Sequence, residues 1–410
     1  MEVKKGYKMT EVGMIPQDWE IYTFADLANL SKIKISPRRE SKNYQCIELE
    51  HIEQGSGQLL GSVDSKNQLS DKWLFSQGDV LFGKLRPYLR KFHLANFTGV
   101  CTTEIWVFKS TNNTISPYLY LIVQSDKFIE AANLSTGTKM PRAEWKTVSQ
   151  IPTPLPPTLT EQRAIATALS DTDALIAALD RLIAKKKAIK QGAMQELLTG
   201  RRRLEGFEGE WRFFKLGSNS ILKARIGWQG LTTAEYLDHG DYILITGTDF
   251  LDGSIYWSGC NYVDQKRYVQ DVNIQVKPGD VLVTKDGTIG KVAYVSILPK
   301  PATLNSGVFV IRPTNDAYLP RFFYYILASP YFEDFLRKLS AGSTISHLYQ
   351  KDFVHFEFPL PPTIEEQRAI AQILTDMDAE IVALEQQRDK YKAVKQGMMQ
   401  ELLTGKTRLV

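Results

Sequence analysis

The chain has 410 residues, 43% of them hydrophobic and 11% aromatic, with 50 Lys and Arg against 46 Asp and Glu for a net charge of +4. So large an apolar share can offset chain entropy by burial, which excludes wholesale disorder, and the length speaks for two or three domains. A charge this small excludes a histone-like polycation, so any nucleic-acid surface has to be local.

The first residues, MEVKKGYKMTEVG, hold no apolar run of the kind a secretory leader needs. The longest apolar stretch, near 322–332, falls far short of the roughly 20 residues of a membrane span. Cys46, Cys101 and Cys260 are odd in number, widely spaced and without a CxxC pair. That speaks against a disulfide framework or a zinc site and for a reducing compartment, so a soluble cytoplasmic protein is expected.

Residues 1–154 read as a first globular head. A turn leads into an apolar strand in SQGDVLFGKL (76–85), a second strand lies in TEIWVFK (103–109), and a short aromatic helix follows in SPYLYLIVQSDKF (116–128). A Ser/Thr/Gly loop, STGTKMPR (135–142), then leads to a Pro-rich approach to the next segment. Strands rich in Val, Ile and aromatics among short helices predict an α+β, or mixed α/β, head.

Residues 155–204 read as one long helix. A Pro pair and Thr158-x-x-Glu161 open it in the pattern of a capping box, and Gly200 ends it where a left-handed cap favours glycine. Ile165, Leu169, Thr172, Ile176, Leu179 and Ile183 step by fours and threes, the seam of a two-helix coiled coil. Lys185 to Lys187 and Arg201 to Arg203 read as solvated charges.

A second head, 205–359, shares little identity with the first but repeats its grammar: KPGDVLVTKDGTIGKVAYV (277–295), GVFVIRP (307–313), LPRFFYYILASPYF (319–332) and SAGSTISH (340–347). Residues 360–410 then repeat the helix. About 32 of about 50 gapless positions match the first copy at an offset of about 205, well beyond chance, and two copies are too few for a solenoid. Thr363-x-x-Glu366 opens this copy, Gly405 ends it, and Ile370, Leu374, Met377, Ile381 and Leu384 form its seam. Two near-identical helices in one chain pair most simply antiparallel. Trp19 and Trp211 each open a head, so the C-terminus should finish near the N-terminus, giving a pseudo-twofold, nearly circular arrangement of two heads on a rod. About 40 helical residues span roughly 60 Å.

The basic signals lie in the heads. GKLRPYLRK (83–91) brings Lys84, Arg86, Tyr88, Arg90 and Lys91 together, and KDGTIGK (285–291) sets Lys285, Thr288 and Lys291 around two glycines. Glycine lets a backbone approach a phosphate and Lys or Arg supplies the counter-charge, although a plain solvated hairpin has the same composition. Thr138, Lys139 and Arg142 in the first Ser/Thr/Gly loop, and Ser343, Thr344 and His347 in the second, could bond phosphates or base edges, as ordinary turns could equally contain them.

Catalytic motifs are missing. GTIGK (287–291) is followed by Val292 where a P-loop needs Ser or Thr, and no HExxH, GxSxG or dinucleotide fingerprint occurs. The five histidines lack metal-ligand spacing, and Glu144-Trp145-Lys146 has no partner Asp for a nuclease site. LPPT lacks the Asn or Asp of the (N/D)PP(Y/F) methyltransferase motif. An enzyme with its own nuclease or methyltransferase centre is therefore disfavoured. A coiled-coil scaffold with two protein-binding heads stands as the alternative, and the basic glycine hairpins count against it.

Two unlike heads, each ending in PLPP-x-x-EQ-x-x-I and a long helix that closes with ELLTG, resemble the specificity (S) subunit of type I restriction–modification systems across the whole chain. The resemblance implies that the heads are target recognition domains, each reading one half of a bipartite duplex DNA sequence. It implies that the helices form an antiparallel coiled coil docking two methyltransferase (M) subunits, with restriction (R) subunits in the full complex. It further implies no cofactor on this non-catalytic chain, with S-adenosylmethionine, ATP and Mg on the partner subunits.

Overall fold

The computed structural model describes residues 4–134, 140–340 and 347–409, the side chain of Trp228 excepted. The chain divides into two compact units, one of residues 1–180 with 386–410 and the other of 181–385. Each long helix therefore contributes one part to each unit. The mixed helix-and-strand architecture expected from the sequence is what the chain adopts.

In the first unit a four-stranded antiparallel sheet runs in the order Phe92–Leu94, Val80–Gly83, Ile105–Ser110, Ala28–Leu30. A second, five-stranded sheet runs Lys34–Ile35, Lys72–Phe75, Gly99–Cys101, Gln45–Ile47, Val63–Asp64, and its Gly99–Cys101 and Gln45–Ile47 strands are parallel. The period-2 side-chain alternation of strands sorts the shared strands between two cores. Trp106 and Phe108 point into the core built on Phe24, Phe128 and the long helices, while Ile105 and Val107 point into an outer core with Ile47, Phe75 and Cys101. Each fully buried large apolar side chain there contributes on the order of 1.5–3 kcal/mol.

The second unit repeats this plan with different residues. Its antiparallel sheet runs Ser220–Lys223, Val308–Pro313, Val281–Thr284, Val292–Tyr294. The other sheet again has a parallel pair, Tyr242–Ile245 with Ala302–Leu304. Phe309 and Ile311 face the inner core and Val308 and Val310 the outer one.

The aromatic segment of each head, expected as one helix, is two. Ser116–Gln124 stops at Ser125, whose hydroxyl caps Asp126–Ala132 by accepting from the Phe128 N–H at 3.3 Å. Pro320–Leu327 gives way at Ser329 to Pro330–Leu339, because the proline ring has no N–H for the preceding turn to use.

The long helices are Leu159–Leu197 and Ile364–Leu402. Their seam is as expected: Ile165, Leu169, Leu179, Ile183, Ile370, Leu374 and Ile381 are buried, with Ile176, Met377 and Leu384 half-buried. Within the first unit the two helices run antiparallel, as Asp173 meets Lys395 at 2.7 Å and Asp180 meets Arg388 at 3.4 Å. Within the second, Lys190 pairs with Asp378, Lys186 with Glu380 at 2.6 Å and Lys187 with Glu385 at 2.7 Å.

The T-x-x-E motif is only half a capping box. Thr158 and Thr363 do accept the N–H of Glu161 and Glu366, at 3.1 and 3.3 Å. The glutamates do not reach back to the cap. Glu366, wholly buried, takes a two-pronged grip from Arg203 at 2.6 and 2.9 Å, and Glu161 takes the same from Arg408 at 2.8 and 2.7 Å. Arg203 is therefore a structural anchor rather than a solvated charge. The neighbouring glutamines clamp the heads: the Ile115 N–H donates to Gln162 Oε1 at 3.1 Å, and the Leu319 N–H to Gln367 Oε1 at 2.8 Å.

Gly200 and Gly405 end the helices with φ of +68° and +69°, as expected of left-handed caps. Each also packs against the tryptophan that opens a head: a β-carbon would meet Trp211 at 3.2 Å in one case and Pro16 and Trp19 in the other, at 2.5 and 3.2 Å. The Tyr7 hydroxyl donates to the carbonyls of Gly405 and Lys406, so the C-terminal segment does lie on the N-terminal one.

Burial pushes the Cys46 and Cys260 thiols up to about 12, and the Cys101 thiol well above its usual value. The thiolate is the reacting form, so all three should resist alkylation at pH 8 in the native chain and react on unfolding. Counting labelled cysteines by intact mass checks this. Native-state labelling at Cys46 or Cys260 would contradict it.

Candidate nucleic-acid interface

The two basic segments occupy the same place in their units, the loop of the hairpin that an edge strand of the antiparallel sheet forms with the strand beside it. Residues 84–91 join Val80–Gly83 to Phe92–Leu94, and 285–291 join Val281–Thr284 to Val292–Tyr294. Each hairpin stem then extends by pairing with the end of the Ser/Thr/Gly loop. In the first unit the Arg86 N–H donates to the Pro141 carbonyl at 2.8 Å and the Ala143 N–H to the Lys84 carbonyl at 2.8 Å, so Leu85 faces Arg142. In the second, Asp286 faces His347, and the Leu348 N–H donates to the Lys285 carbonyl at 2.8 Å.

This pairing gathers Lys84, Arg86 and Arg142 in one unit and Lys285 and His347 in the other. Arg86 is exposed, and Tyr88 stands 51% exposed on the turn beyond it. Arg142 forks onto Glu104 at 3.0 Å through both Nε and Nη2. In the other unit His347 Nδ1 contacts Asp286, Lys285 Nζ lies 3.4 Å from His347 Nε2 and 3.7 Å from Asp286, and the Tyr349 ring lies 4.4 Å from the imidazole, tilted 52° to it. Lys285 is only 13% exposed and sits 5.7 Å over the Phe309 ring. An acid thus fixes each stem: Glu104 in one, Asp286 in the other. Sequence reading missed both, since neither differs by any local signal from a surface carboxylate.

Other expected residues are turned elsewhere. Arg90 donates to the Gln124 carbonyl at 2.8 Å and to Asp126 at 2.7 Å, and Lys91 donates to the Leu49 carbonyl at 2.6 Å, so both tie the loop to the body of the head. Thr288 and Lys291 are exposed. The glycine turn that carries them is no open phosphate cradle, because the Gly290 N–H donates to the Thr284 carbonyl and the Lys291 N–H to the Thr284 hydroxyl, both at 2.9 Å. Thr138, Lys139, Ser343 and Thr344 lie outside the described residues. Among the described residues no cluster of three or more His, Cys, Asp or Glu could hold a metal, and no helix is long and apolar enough to cross a membrane.

Comparison with known proteins agrees with this duplicated design. Two chains of Methanocaldococcus jannaschii, named as the MjaX and MjaVIII type I restriction enzyme specificity subunits, are each 25% identical to this one. The matches span 99% and 96% of this chain and 97% and 94% of theirs. The crystal structure of a type I restriction–modification S subunit from M. genitalium is similar in fold, with a TM-score of 0.62 at 15% identity over 98% of both chains. The profile of the type I restriction modification DNA specificity domain matches twice, at residues 16–191 and 208–392. The chain therefore belongs to the type I restriction–modification DNA specificity family, as a DNA-recognition subunit carrying two copies of the domain.

Proposed function

We propose that each unit's head reads one half of a bipartite duplex DNA target and that the paired helices dock two methyltransferase subunits, with restriction subunits joining in the full complex. The observation that carries this reading is the twice-built stem. Two heads with little common sequence set a lysine, Lys84 or Lys285, at the same strand register beside the base of a Ser/Thr/Gly loop. A shared stem with unlike loops suits a common backbone-contacting frame that presents different base readers, since phosphate contacts position a protein and base contacts specify. On this reading the chain itself carries no catalytic centre and no cofactor, and S-adenosylmethionine, ATP and Mg serve the partner subunits. Because the heads differ, the two half-sites differ and the target is not a palindrome.

Long-read methylation sequencing of the host, with and without the gene, tests this. The expected result is a motif of two short specific halves around a gap of unread bases, lost when the gene is deleted. An unbroken palindrome would sink the bipartite reading. A methylome indifferent to the gene would return the heads to protein binding.

A further inference from the structure

We infer that a cleft in the first unit is an anchor for one backbone phosphate of duplex DNA, an inference that rests on the DNA-reading function proposed above. The cleft opens where the chain leaves the antiparallel sheet after Leu30 to begin the outer sheet at Lys34. The Ser31 N–H still donates to the Val107 carbonyl at 2.8 Å, and Trp73 of the outer sheet pairs with Lys34. Trp73 and Trp106 wall the cleft, and Ser31, Lys32 and Lys84 complete it.

Three features give it affinity for an anion. Among the described residues no carboxylate lines it. The nearby acids are engaged already, Glu104 by Arg142 and Asp71 by Lys34 at 2.9 Å. Among the described residues the ammonium groups of Lys32 and Lys84 have no ion-pair or hydrogen-bond partner, and the buried Ser31 hydroxyl has none either. Two uncompensated cations and an orphaned donor call for an oxyanion, because a buried donor left unpaired is costly and a charge-assisted bond is strong. The indole walls call for an apolar body beside that anion, which the deoxyribose on either side of a phosphodiester supplies. Lys84 also lies at the foot of the hairpin whose exposed Arg86 stands two residues on, which places the cleft beside the reading loop.

The clamp belongs to the first unit. By strand register, Ala224 stands in the second unit where Lys32 stands in the first, and Ile274 replaces Trp73. Lys285, the counterpart of Lys84, is occupied by His347 and Asp286.

The test is binding of the full chain, with methyltransferase subunits present, to a fluorescein-labelled mixed-sequence duplex across a salt series. Replacing Lys32 and Lys84 together by alanine should shallow the slope of log K against log salt by about 0.9, the value for one phosphate contact, and each single replacement by a part of that. Trp73→Ala should weaken binding at every salt concentration with the slope unchanged. Lys5→Ala, on the exposed turn just before Tyr7 and outside both the cleft and the long helices, should leave both unchanged. If the wild type binds but the lysine variants of the cleft keep its slope, or if Lys5→Ala flattens it equally, the cleft assignment is overturned. Inorganic phosphate at matched ionic strength should displace the duplex no better than chloride; stronger displacement would assign the cleft to a small free anion instead. A wild type that binds no duplex at all would overturn the DNA reading itself.

Discussion

Replacing Arg203 by alanine should destabilise the second unit by about 3–5 kcal/mol, among the largest effects open to a single substitution in this chain. Glu366 is 0% exposed and its carboxylate accepts both prongs of the Arg203 guanidinium. Removing the arginine leaves a charge in a site water does not reach, and the loss is mainly that orphaned charge rather than the net worth of the pair. The double variant Arg203→Met, Glu366→Leu should therefore recover most of the stability. For a unit of about 200 residues each kcal/mol moves Tm by roughly 2–4 °C, so the single variant should melt about 6–20 °C lower in calorimetry. Arg408→Ala should do the same to the first unit through Glu161, with a further loss at Asp18, to which Arg408 also donates at 2.8 and 2.9 Å. A shift under about 2 °C for Arg203→Ala would show that water solvates Glu366 once the arginine is gone, and the account of the motif would be wrong.

The same motif marks where the sequence was legible and where it was not. The helices, their seam and their glycine ends follow from periodicity and local backbone preference, which a single segment carries in full. The role of Glu161 and Glu366 does not, because their partners lie 247 and 163 residues away in sequence. A local capping pattern and a buried ion pair use the same residue types, and only the tertiary neighbour decides between them. The heads divide likewise. The strands in 76–85 and 103–109 were readable from their apolar runs, whereas the parallel pairing of Gln45–Ile47 with Gly99–Cys101 joins segments with no local mark of each other. Arg90 and Lys91 looked like ligand-facing charges because sequence displays a charge and conceals its acceptor. Lys32 and Trp73 went unnoticed for the converse reason, since the cleft they line is assembled from four separate segments.

Four residues inserted into both long helices, one set after Asp180 and one after Glu385, should lengthen the unread gap by one or two base pairs and leave the recognised bases unchanged. These positions are the boundaries between the units, and the antiparallel ion pairs fall cleanly on either side of them. Asp173–Lys395 and Asp180–Arg388 stay within the first unit, and Lys190–Asp378, Lys186–Glu380 and Lys187–Glu385 stay within the second. Matched insertions thus preserve every internal register while adding about 6 Å of helix, against about 3.4 Å of rise per base pair. An insertion in one helix alone has no such compensation. The helix then enters its other unit four residues out of step, the packing at Ile183 or at Leu402 loses its partners, and the variant should fall in both stability and DNA binding. Methylome motifs of hosts carrying the three genes read the outcome directly. If the matched insertion changed the specific bases while the gap held, the helices would not be setting the spacing, and the heads alone would have to account for it.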